Sequence, residues 1–139
     1  RQLGGPRKCC RHPDQRPPES MIDPETWATA KPMLEAALEH QDTHSIIDVY
    51  RAIEGGAAQI WCADKSCVVT EILEHPKKRV ARIWLAAGNR FELVTKMLPD
   101  IEDWARELGC DSVEVVGRRG WRRVLTGYTE PHTILEKVL

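Results

Sequence analysis

Residues 79–116 read RVARIWLAAGNRFELVTKMLPDIEDWARELGCDSVEVV, and a change of period inside this stretch decides the fold. Residues 79–87 are apolar and partly β-branched, which reads as a strand. From Arg90 onward, apolar residues recur at three- and four-residue steps: Phe91, Val94, Leu98, Ile101, Ala105 and Leu108. Met97 and Trp104 widen that stripe. This is the pattern of a long amphipathic helix, and Gly109 supplies its stop. Residues 112–116 (SVEVV) return to strand. A long helix between two strands joins parallel neighbours through a right-handed crossover.

Toward the N-terminus, residues 57–63 (AAQIWCA) and 66–73 (SCVVTEIL) flank Asp64-Lys65, the spacing of a tight hairpin. A turn at Pro76-Lys77-Lys78 then leads into 79–87, so a three-strand antiparallel meander is expected. A two-residue turn makes Cys62 and Cys67 directly opposed cross-strand neighbours. Two thiols packing as small hydrophobes is favoured over a redox pair. Further upstream, Asp23 can cap a helix with Pro24 at its first position. Pro32 predicts a bent or two-piece helix over 24–40. Thr43 is expected to cap a second helix carrying Ile46, Ile47, Val49, Tyr50 and Ile53, which Gly55-Gly56 ends. Downstream, a short helix is expected around 119–125 and a last strand over 132–138. The element order is α, α, β, β, β, α, β, α, β. The fold class is therefore α/β (α+β): a single domain with a mixed, mostly antiparallel twisted sheet flanked by helices.

The chain has 139 residues, enough for one domain, and is 42% apolar and 29% charged, a globular balance that argues against wholesale disorder. No apolar stretch approaches the roughly 20 residues of a membrane helix, so no membrane span is expected. Five cysteines are an odd number and too few for a disulfide-stapled scaffold. A cytoplasmic setting fits them better. Residues 1–20 differ in kind: four prolines, one large aliphatic residue (Leu3), and five basic against two acidic residues. They read as a flexible basic tail or a non-native extension, with the folded unit over 21–139 and Met21 its natural start. Deleting 1–20 is expected to leave the melting midpoint nearly unchanged. Cys9-Cys10-Arg11-His12 lacks metal-ligand spacing, and His40, His44, His75 and His132 sit at loop-like positions, so no metal is expected.

Several local signatures together resemble the GNAT family of N-acetyltransferases over about residues 25–139. They are Gly55-Gly56 before Gln59-Ile60-Trp61, Val69-Thr70-Glu71-Ile72, Glu102-x-Trp104-Ala105, Gly109-Cys110 and Gly117-Arg118-x-Gly120-Trp121. More narrowly, the chain is similar to small GNAT-like proteins of tailed phages, including the podovirus internal virion protein group. The resemblance implies a pyrophosphate cradle of the form [QR]-x-x-G-x-[GA] between the third strand and the long helix, where backbone N–H groups bind an anion. The matching positions are Ala87, Gly88, Asn89 and Arg90, with one glycine and one cation but not the whole motif. Weak or absent acetyl-CoA binding is expected, and no cofactor unless the chain is active. The resemblance also implies a leaving-group acid near a Gly-aromatic pair. That pair is Gly127-Tyr128, but Arg123 stands where the acid should be, which leaves Tyr128 as the substitute. Glu71, interrupting an apolar strand, is the candidate general base.

Trp27, Trp61, Trp84 and Trp104 read as core anchors. Trp121 lies among Arg118, Arg119, Arg122 and Arg123, a cluster suited to phosphate or to a partner's carboxylates. The functional expectation is a phage- or prophage-encoded virion-associated or assembly protein, cytoplasmic in the host or packaged in the particle, with protein partners that include virion components. The alternative is an active N-acetyltransferase acting on an amine. A net charge of −1 makes nucleic acid an unsuitable main ligand.

Overall fold

The computed structural model describes residues 22–117 and 119–139, and of Arg119 only the backbone. The 1–20 segment, Met21, Cys9-Cys10-Arg11-His12 and Arg118 lie outside the described residues.

Helix α1 spans Pro24–Leu38, opened by Asp23, whose carboxylate accepts from the Thr26 backbone N–H at 3.0 Å. It is one helix running through Pro32, so of the two expected forms, bent or two-piece, the two-piece one does not occur. Pro32 is exposed, so water can satisfy the carbonyl left without a donor, while Ala30, Leu34 and Leu38 bury one face. Helix α2 spans Ile46–Glu54. Its cap is Ser45 rather than Thr43, because Ser45 and Asp48 form a reciprocal capping box.

Strands β1 (Ala58–Cys62), β2 (Ser66–Glu74) and β3 (Arg79–Gly88) form the expected antiparallel meander. The Ala63 N–H donates to the Ser66 carbonyl at 2.9 Å, closing the Asp64-Lys65 turn. Helix α3 (90–107) follows, and strand β4 (Ser112–Val115) then pairs parallel with β3. The sheet order is β1-β2-β3-β4. After β4 comes a single 3-10 turn, Arg119–Arg123.

The two sheet faces carry separate cores. Helices α1 and α2 pack Leu34, Val49 and Ile53 against Ile60, Cys67, Val69 and Leu85. Helix α3 packs Leu93, Met97, Ile101 and Trp104 against Trp61, Val68, Ala81 and Ile83. Each buried Leu, Ile, Val or Met among them contributes about 1.5–3 kcal/mol. The Trp61 indole donates to the Thr70 hydroxyl at 3.0 Å, which donates on to Gln59 at 2.9 Å, so this buried polar pair is satisfied.

Two further expectations fail. Helix α3 is not uniform: an α turn (Arg90–Glu92) is followed by a π turn (Leu93–Met97) and then by α-helix (Leu98–Glu107). Pro99 has no N–H to offer Thr95, and the turn before it widens. The inward stripe shifts accordingly: Leu93 is buried and Phe91 is 71% exposed. Residues 132–138 are not a strand. Ile134, Leu135, Val138 and Leu139 do not alternate, and all four are exposed. Among the described residues, no helix is long and apolar enough to cross a membrane.

Candidate functional site

The parallel pairing of β3 with β4 runs from Val80–Ser112 to Ile83–Val115. One further bond, from the Val116 N–H to the Ile83 carbonyl, ends it. At the same level the β2–β3 register slips: Val69 opposes Leu85 while Thr70 opposes Ile83, which leaves Trp84 as the extra residue of a bulge. Beyond it β3 continues to Gly88 against β2 alone, and β4 stops. The strands therefore part. Beside the parting strands, between the sheet and α3, lies an apolar cavity of about 20 Å³, lined by Val68, Ile83, Ala86, Leu93, Val115 and Trp121 among others.

Above the gap, β3 ends and α3 begins. Gly88 has φ +114°, and a Cβ there would lie 2.2 Å from the Lys65 carbonyl oxygen. Asn89 caps the helix, its side-chain oxygen accepting from the Glu92 N–H at 2.9 Å. The N–H groups of Arg90 and Phe91 precede the first intrahelical donor, the Leu93 N–H on the Asn89 carbonyl, at the helix end where the dipole favours an anion. Glu92 turns back to the hairpin, accepting from the Ser66 hydroxyl at 2.6 Å and the Lys65 N–H at 3.0 Å. The Ser66 hydroxyl, and less strongly the Lys65 N–H, hold the Glu92 carboxyl below its ordinary range.

One residue before the split, a charged row crosses the sheet. Arg82 Nε donates to Glu114 at 2.8 Å, and Arg82 Nη1 lies 3.5 Å from Glu71. Strand alternation places all three on the face that carries α1 and α2. Tyr128 is elsewhere. Its hydroxyl donates to Glu102 of α3 at 2.5 Å, and burial together with that carboxylate raises its proton affinity well above an ordinary phenol. Glu71 and Tyr128, paired in the sequence reading, are therefore not brought together.

Of the expected cradle residues, Ala87 and Gly88 pair with Cys67 and Ser66 at the end of β3, and Asn89 and Arg90 open α3. None of the four lines the cavity, whereas Ala86 and Leu93 on either side of them do. The arginine cluster divides: Trp121 packs inward against the α3 core, Arg122 is ion-paired with Glu130, and Arg123 is exposed. Among the described residues, no group of His, Cys, Asp or Glu has metal-ligating geometry.

Solved structures share this architecture. A probable acetyltransferase superposes with TM-score 0.66 at 15% identity, covering 89% of this chain and 96% of its own. The fold is GNAT-like. An aminoglycoside acetyltransferase from an uncultured soil metagenomic sample, solved with trehalose, gives 0.61 at 14% identity, covering 84% and 90%. The ribosomal-protein-alanine N-acetyltransferase of Brucella melitensis gives 0.58 at 13%, covering 84% and 96%. No sequence family and no curated protein matches the chain by sequence.

Sequence reading missed Arg82, Glu114, Glu92 and Ser66. The first two stand out as charges interrupting apolar strands, as Glu71 does. The Asn89-x-x-Glu92 spacing is a capping signal that was available.

Proposed function

We propose that this chain is an N-acyltransferase that takes its acyl group from acyl-CoA and passes it to an amine. One observation carries the reading: β3 and β4 part at the Trp84 bulge, and an apolar cavity there is lined by Ala86 of β3 and Leu93 of α3, on either side of the Gly88–Arg90 connection. The start of α3 offers a diphosphate the uncapped N–H groups of Arg90 and Phe91, the positive end of the helix dipole and the exposed Arg90 side chain. The cavity's apolar lining matches the aliphatic part of the cofactor's arm, and the cavity, about 20 Å³ here, has to widen between the strands to admit it. The thioester of acyl-CoA supplies the activated acyl group.

The chain's own residues supply the rest. Glu71 and Glu114 share one guanidinium, so the row keeps one uncompensated negative charge beside the split. That charge attracts a protonated amine, and either carboxylate can take its proton before attack. Arg82 holds both carboxylates in place. Tyr128 is committed to Glu102 and stands outside this step.

The test is thiol release from acetyl-CoA against a panel of primary amines, with and without Glu71→Gln and Glu114→Gln. The expected result is turnover lowered roughly 10²-fold or more by the double change. Equal turnover in the double variant contradicts the assignment.

A second reading is a phage- or prophage-encoded virion-associated or assembly protein that keeps the fold with a degraded loop. Its degraded-loop part alone rests on the structure: Asn89 occupies the Glu92 N–H, and the Glu92 carboxylate lies by the start of α3.

A further inference from the structure

Cys62 and Cys67 lie at the end of the first hairpin, on the face away from the gap's lining. Because Ala63 and Ser66 form the hydrogen-bonded pair that closes the turn, Cys62–Cys67 is the next, non-hydrogen-bonded pair. That is the closer of the two cross-strand spacings, with Cα atoms about 4.5 Å apart, inside the range a disulfide spans. The sulfurs already touch at 3.5 Å. Bond formation needs side-chain rotation and no backbone movement. The two thiols also differ in access: Cys67 is fully buried, and Cys62 is only half-buried.

We propose that Cys62 and Cys67 form a thiol–disulfide exchange site for low-molecular-weight disulfides such as oxidised glutathione, with Cys62 attacking and Cys67 resolving. The Cys62 thiolate attacks one sulfur of the incoming disulfide, forming a mixed disulfide and expelling one small thiolate. Cys67 then gives up its proton and attacks Cys62 Sγ, expelling the second small thiolate. The two protein protons end on the two small thiols. The protein dithiol is oxidised to one disulfide, and the small disulfide is reduced to two thiols.

The ionisation order agrees with this geometry. The hydrogen bond between the two sulfurs favours thiolate on Cys62, and that bond together with burial holds the Cys67 proton firmly. Once Cys62 is capped, the partner that held the Cys67 proton is gone and only burial remains. The closed pair staples the turn whose Lys65 and Ser66 contact Asn89 and Glu92.

The test equilibrates the full chain with oxidised glutathione, blocks remaining thiols by alkylation, and maps tryptic peptides without reduction. Cleavage at Lys65 separates the two cysteines into peptides 52–65 and 66–77. The expected result is a disulfide joining these two peptides. In Cys67→Ser, glutathione is expected to persist on Cys62, and in Cys62→Ser the Cys67 thiol stays alkylatable after unfolding. Linkage of Cys62 to Cys9 or Cys10 instead, or recovery of both hairpin thiols unoxidised, overturns the proposal. The wild-type map decides it even if a variant fails to fold.

Discussion

Gly88 carries two demands at once: a positive φ of +114° and contact with the Lys65 carbonyl that leaves no room for a Cβ. Gly88→Ala therefore costs about 2 kcal/mol or more, read from urea denaturation, and displaces the start of α3. Trp121 presses on Gly117 and walls the gap, yet it is only half-buried. Trp121→Ala is expected to cost about 2 kcal/mol, below the 3–5 typical of a fully buried tryptophan. Glu92 has a folded-state acidity stronger than its unfolded one, so its stabilising contribution is present above about pH 4.5 and is lost as pH falls through the lower folded value. Glu92→Gln should flatten the fall of stability below pH 4.5 relative to the unchanged chain. An unaltered slope in acid denaturation would show that the Ser66 and Lys65 contacts do not hold in solution.

At the scale of elements, local signals were legible and register offsets were not. The Asp64-Lys65 turn fixed its hairpin and the Cys62–Cys67 pairing, because a two-residue loop leaves only one register. The strand–helix–strand reading of 79–116 held for the same reason: strong periods bounded by glycines. A π turn, however, adds one residue to a turn without changing which residue types occur. Phe91 and Leu93 therefore exchanged roles unseen. The Arg82–Glu114 pair joins positions 32 apart, beyond any local pattern. Thr43 and Ser45 are both capping types, and only the reciprocal Asp48 contact separates them. Ser45→Ala should lower stability by about 1 kcal/mol in chemical denaturation. Removing residues 132–139 should leave the melting temperature nearly unchanged, since that segment buries no side chain. A fall of several degrees would mean that it packs against the domain in solution.

For the whole molecule, the two cores divide labour. The α1/α2 face holds the charged row and the cysteine pair, and the α3 face walls the gap. Both meet at one place, the bulge where β3 leaves β4. The most direct measurement is titration calorimetry of acetyl-CoA into the full chain and into Arg90→Glu. Saturable one-to-one binding is expected, with Kd tighter than about 1 mM, near −4 kcal/mol, and severalfold weaker in the variant. No saturable heat at millimolar acetyl-CoA, or equal binding by both chains, would contradict a cofactor site at the β3–β4 split.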